Sequence, residues 1–288
     1  MICALLWFFY NSKGELSQWI GLACCAICTA LVVELNNTHV LIRIRTRMVS
    51  TLFLLIWSCN GYLHPFQHGH VLILCMLICY HALFSVQQGV KSTGVTFLIF
   101  LSLGFTSLLI QPMCILILPF FLALNYFRSL SFRSFLAGIL GFILPAWLVF
   151  SCCFLTDNMP LVSAYASDTS QWVPFQYTTV DWHQIAAMAL LLVLLVPSIL
   201  HFLQNNYQDK IRVRMLYYFM LWMQIYLFVG LCILPHLFNE LFLLIVLNSC
   251  PLIAHFFTLT NHKFSNIFFM VACVLVLLLT GYNLWMPL

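Results

Sequence analysis

Phe135–Leu155 reads FLAGILGFILPAWLVFSCCFL, and Thr156–Gln184 continues TDNMPLVSAYASDTSQWVPFQYTTVDWHQ. The first stretch has no charged side chain and is long enough to cross a bilayer core of about 30 Å as a helix. The second is the one place where the chain stays polar for long, and it holds Asp157, Asp168, Asp181 and His183 but no lysine or arginine. Apolar runs cut by short connections lie on both sides of this pair. That alternation predicts an all-α, polytopic transmembrane helical bundle.

Composition agrees. Hydrophobic residues make up 64% of the 288 and charged residues 6%, with a mean hydropathy of +1.04; soluble domains carry about 25% charged residues. Long apolar runs without two-residue alternation favour helices over a barrel, because a span in lipid must satisfy its own backbone. The net charge of +4 is small and dispersed over connections, which excludes a nucleic-acid partner. Most of the thirteen cysteines fall inside apolar runs, where cysteine behaves as a small hydrophobe. Cys25 and Cys28 have CxxC spacing but lie within a span, so neither a disulfide framework nor a cofactor is implied.

About ten spans are expected, as one integral membrane domain over residues 1–288: Trp19 to Leu35, Met48 to Leu63, Val71 to Ser85, Val95 to Ile110, Met113 to Phe127, Phe135 to Leu155, Ile185 to Leu203, Leu216 to Leu234, Leu241 to Phe257 and Phe264 to Trp285. Gln111 and Pro112 mark either a tight turn between two spans or a kink in one. The apolar segment 1–10 is too short to span and lacks the basic start of a signal peptide. It fits an interfacial piece or the end of a longer helix.

Arg43, Arg45, Arg47, Lys91, Arg128, Arg133, Lys210, Arg212, Arg214 and Lys263 fall in one set of alternate connections, and only Lys13 falls in the other. By the positive-inside rule the basic set is cytoplasmic. Residues 156–184, the His64 to His70 segment, the Pro235 to Glu240 turn and the C-terminus are then extracytoplasmic, with 156–184 a loop between two helical halves. Asn36-Asn37 before RIRTR (Arg43 to Arg47) and Asn205-Asn206 before KIRVR (Lys210 to Arg214) form a recurring pattern. Both runs suit anionic lipid headgroups, each charge contributing about 1 kcal/mol.

Two groups of residues could carry chemistry. His64, His68 and His70 in LHPFQHGHV are imidazoles close enough in sequence to ligate zinc or copper, though Pro65 and Gly69 deny them a shared helical face. Asp157, Asp168, Asp181 and His183 could serve as general acid and base. Trp172, Tyr177 and Trp182 would then stack on the sugar of a lipid-linked glycan. Tryptophan and tyrosine also mark membrane interfaces regardless of function. Within the spans ionisable groups are sparse: His81, His201 and His255 lie in or at the ends of spans, and Glu240 with His236 sits at a boundary. That scarcity counts against an ion-coupled transporter.

The span ending LNN followed by RIRTRM, and LIFLSLGFTSLLIQP leading through Phe127-Arg128 into SFRSFLAGILGFILPAWL, resemble an uncharacterised family of polytopic inner-membrane proteins from Bacteroidetes. Phe132, Arg133, Gly138, Gly141 and Pro145 carry the second half of the resemblance. It covers the middle half of the chain, implies residence in the inner membrane of the cell envelope and an earlier start than Met1, and brings no reaction with it. Two functions are therefore expected to compete. One is a non-catalytic scaffold, assembly or passage protein; the other is a transferase acting on a lipid-linked sugar at the 156–184 loop. The transferase reading lacks the external arginine or lysine that a lipid diphosphate normally requires.

Overall fold

A computed structural model describes residues 7, 16–86, 92–168, 175–260 and 263–285. Residues 1–10 other than Trp7, and Lys13, Lys91 and Trp172, lie outside the described residues. Among the described residues eleven α-helices follow one another: α1 Leu16–His39, α2 Met48–Ser58, α3 His68–Ser85, α4 Thr93–Leu109, α5 Ile117–Tyr126, α6 Phe132–Leu155, α7 Met159–Asp168, α8 Trp182–Asn205, α9 Ile211–Ile233, α10 Phe238–Leu259 and α11 Lys263–Trp285. No strand occurs among the described residues.

Each expected span is helical over most of its length, and among the described residues seven helices are long and apolar enough to cross a membrane. The expectation of about ten spans is not confirmed by that count, and the other three apolar helices are shorter. The 11 residues of α2 reach about 17 Å at 1.5 Å per residue, well short of a bilayer core. This helix ends where Asn60 turns extended before Gly61, a pair that punctuates helices. At the Gln111-Pro112 junction α4 stops at Leu109 and Ile110 adopts an extended conformation. A 3-10 segment, Gln111–Leu116, then starts with the proline in its first turn, where the missing N–H costs nothing. The apolar stretch is thus interrupted rather than kinked.

The 156–184 segment is not one loop. Met159–Asp168 is helical and Tyr177–Thr179 forms a 3-10 turn, while α8 already begins at Trp182. Pro160 sits in the first turn of α7, the position where proline is tolerated.

The chain divides into two compact units: residues 1–73 with 177–288, and residues 74–176. In the second unit α4 packs along α6, and glycines set their separation. A Cβ on Gly104 would stand 2.4 Å from the Phe142 carbonyl oxygen, and one on Gly141 would stand 2.6 Å from that of Phe97. Small residues at such crossings let helices in lipid gain close van der Waals contact. These glycines therefore have a packing role.

The first unit is built around α10, buried from Leu241 to Phe256, with α2, α8 and α9 packed on it. α1 lies on α2, and α11 lies on α8. Midway along α10, Asn248 Nδ2 donates to Gln224 Oε1 at 2.7 Å and to the Met220 carbonyl at 2.6 Å. Gln224 Nε2 in turn donates to Ser249 Oγ at 2.9 Å. Inside an apolar bundle such amides must find partners or cost several kcal/mol each. Their pairing fixes α9 against α10.

Candidate functional site

At one end of the first unit lie the starts of α1, α3, α8 and α10 and the ends of α2 and α11. Asp181 is the N-cap of α8 and forms a capping box with Gln184, whose Oε1 accepts from the Asp181 backbone N–H at 3.0 Å. Gln184 Nε2 donates to Asn239 Oδ1 at 2.8 Å, Asn239 Nδ2 to Gln67 Oε1 at 3.4 Å, and Gln67 Nε2 to the Tyr62 carbonyl at 3.2 Å. His183 donates through Nδ1 to Asn283 Oδ1 at 2.9 Å, and Asn283 Nδ2 reaches the Cys59 carbonyl at 2.8 Å. Two of the expected catalytic residues thus tie helix ends together.

The other two lie in the second unit. Asp157 is exposed, with φ at 52°, a left-handed conformation that aspartate tolerates better than most residues. Asp168 closes α7, and its side chain lies outside the described part.

The three histidines expected as metal ligands occupy different surroundings. His64 is fully buried and stacked on Trp7 with ring centres 3.8 Å apart, and its Nε2 bonds to the Ser58 carbonyl at 3.1 Å. Burial pushes its pKa down to about 4, against a smaller upward pull from that bond. His70 is buried beside Trp57, with Nδ1 accepting from the Gln67 backbone N–H at 3.2 Å. His68 is exposed. Among the described residues, no group of three histidine, cysteine, aspartate or glutamate side chains is arranged to hold a metal ion.

The opposite end of the unit, where the basic connections meet, has a different character. Asp209, 6% exposed in the turn between α8 and α9, places Oδ1 3.0 Å from Arg43 Nε and Oδ2 2.9 Å from His255 Nε2. Arg43 also donates through Nη2 to Gln208 Oε1 at 3.2 Å. The first basic run is thereby joined to the turn that precedes the second, over a separation of 165 residues. Val40, with φ at 48°, turns the chain out of α1 toward Arg43. For a β-branched residue that backbone is strained, a cost of order 1–3 kcal/mol.

His255 is 1% exposed, ringed by Phe202, Tyr217 and His201 at 5.0–6.1 Å spacings that run from ring to ring. With Nε2–H given to Asp209, its Nδ1 is left buried and without a hydrogen-bond partner. Beside it opens a cavity of about 330 Å³ lined by Arg43, His201, Gln204, Asn205, Gln208, His255, Leu259 and Thr260. A smaller concavity of about 170 Å³ lies over Asn36, Asn37, Arg45, Thr46 and Arg47. The first Asn and basic pattern therefore contributes to both hollows, and Asn205 of the second lines the larger one.

Arg43 is more than a surface charge, and Asp209 is a buried ion the sequence reading missed. The available signal was an acid next to a basic run together with a histidine inside an apolar span. What that arrangement can do chemically is bind: it offers a guanidinium, imidazoles and amides around a hollow, without a second carboxylate or an activated nucleophile. No family model, no curated protein and no solved structure matches the chain.

Proposed function

We propose that this chain is a non-catalytic integral membrane protein of a bacterial envelope, a scaffold or passage component that receives a small polar ligand at the basic end of its first unit. The observation that carries this reading is the cavity of about 330 Å³ beside His255, with the buried Asp209 pair beneath it. The volume falls in the range of ligand pockets, and a few polar groups converge on it. Asp181 and His183 are bonded within helix-end networks, which supports a structural role for that end. In the same reading the protein lies in the inner membrane with its basic connections cytoplasmic, the 156–184 segment lies outside, and Arg45, Arg47, Lys210, Arg212 and Arg214 face anionic headgroups. The resemblance to the Bacteroidetes family belongs with this reading.

A transferase acting on a lipid-linked sugar is the second reading. It is favoured by Asp157, exposed and held at positive φ, a kind of residue that clusters at active sites. Rescue of a deletion strain separates the two. Asp157→Asn, Asp168→Asn and Asp181→Asn, each made singly, are expected to restore the phenotype fully. Loss of rescue by any one of them, with the protein present at normal level in the membrane, would move the assignment to the transferase.

A further inference from the structure

We propose that the cavity at the basic end of the first unit is a site for a phosphate-bearing anion, held by Arg43 and His255 with the amides of Gln204, Asn205 and Gln208. This rests on the reading that the first unit takes a polar ligand there, and it names that ligand's chemistry.

The sign of the ligand follows from the lining. None of the eight lining residues is acidic. Asp209 lies beneath, with one oxygen on Arg43 and the other on His255. Arg43 uses Nε and Nη2 on Asp209 and Gln208. Among the described residues Nη1 enters no hydrogen bond, on a side chain 40% exposed. Its guanidinium is therefore held in place by Asp209, on a residue that lines the hollow. That geometry suits bidentate or forked bonding to a tetrahedral oxyanion. A metal cation would meet a guanidinium and no carboxylate oxygen.

His255 supplies the second, independent observation. It is 1% exposed, it lines the cavity, and its Nδ1 has no partner. Buried polar atoms are nearly always hydrogen-bonded, and this unpartnered nitrogen belongs to a residue that lines the cavity. A protonated phosphate oxygen can donate to it, or an imidazolium Nδ1–H can donate to the anion. The source of the phosphate is either a lipid headgroup, entering from the membrane boundary, or a soluble phosphate.

The test uses the full chain in nanodiscs and reads its melting temperature, with two arms. In phosphatidylcholine discs, inorganic phosphate is titrated against sodium chloride at matched ionic strength. In the other arm phosphatidylglycerol replaces part of the phosphatidylcholine. At saturation at least one arm is expected to raise the melting temperature by about 3 °C or more, as ligand linkage requires. A rise with inorganic phosphate alone assigns a soluble ligand, and a rise with phosphatidylglycerol alone assigns a headgroup.

The double variant Gln204→Leu with Asn205→Leu leaves the Asp209 pair intact and is expected to cut the rise at least threefold. Should that variant fail to fold, Leu259→Trp projects an indole into the cavity without substituting the pair and is expected to cut the rise at least threefold. No rise in either arm, or an equal rise in the variants, overturns the proposal. Because rescue reads the protein's role and melting reads the ligand, the two can fail separately. Full rescue by the aspartate variants with no phosphate effect removes only the ligand class; lost rescue with a phosphate effect removes only the non-catalytic role.

Discussion

At the end of the first unit where α8 begins, polar side chains bond in series across helix termini: Asp181 with Gln184, Gln184 to Asn239 to Gln67, and His183 to Asn283 to Cys59. At the opposite end, polar side chains converge on one buried carboxylate and leave a hollow above it. The first arrangement spends these side chains in holding helix ends together, while Asn60 Oδ1, the Tyr62 hydroxyl, His70 Nε2 and His236 Nδ1 at the same end are buried without a hydrogen-bond partner. The second keeps an imidazole nitrogen and a guanidinium edge unused. The end at Asp181 therefore ties helix termini together, and the opposite end gathers Arg43 and His255 on Asp209 beside a cavity.

The sharpest way to break this contrast is Asp209→Ala. Leaving a buried donor such as His255 Nε2–H without its acceptor typically costs about 1–3 kcal/mol. Arg43 and His255 would both lose their acceptor, so a loss of this order is expected in the melting of the purified chain. A loss below about 1 kcal/mol, the scale of exposed pairs, would make the basic end an ordinary surface.

Next in size is a pH effect at the other end, through His64. Its folded-state pKa of about 4 lies below the ordinary value of 6.5, so the unfolded chain takes up the proton first. Stability is then full above about pH 6.5 and falls as the pH drops toward 4. By pH 5 the loss is on the order of 2 kcal/mol. Melting between pH 7 and pH 5 should show this slope in the native chain and a shallower one in His64→Gln. Equal slopes would place His64 in a wetter setting than its stacking on Trp7 implies.

Loss of the α8 cap is smaller. Asp181→Ala is expected to destabilise by about 1 kcal/mol, the usual worth of an N-cap, with Asp181→Asn close to neutral because asparagine caps equally well. The smallest effect belongs to Asp157→Asn, within about 0.5 kcal/mol as for exposed substitutions. Chemical denaturation of the three variants side by side gives the ranking. Asp181→Asn behaving like Asp181→Ala would mean that the charge, and not the cap, matters there.

Much of the fold was legible because lipid makes hydropathy decisive. The apolar runs became helices, and the break before Pro112 falls where the proline required one. Span number was less legible: α2 is as apolar as its neighbours but stops after 11 residues, since Asn60-Gly61 outweighs the apolar Tyr62 and Leu63 beyond it. The polar 156–184 segment read as a loop, yet MPLVSAYASD forms α7, as alanine, leucine and an early proline permit. Cap chemistry at Asp181 was written in the local D-W-H-Q spacing, a short-range signal passed over in favour of acid and base chemistry. Asp209 was illegible for a different reason. QNNYQDK looks like a solvated turn, and nothing local shows that Arg43 arrives from the first basic run or His255 from 46 residues further on. Long-range pairing leaves no periodic trace.

The central claim is that this protein works at its basic end. The most direct measurement is rescue of a deletion strain by Leu259→Trp, which projects an indole into the cavity and leaves Asp209, Arg43 and His255 unsubstituted. The account predicts a variant that reaches the membrane in normal amount, melts as the native chain does, and fails to rescue. Rescue indistinguishable from the native protein would contradict it.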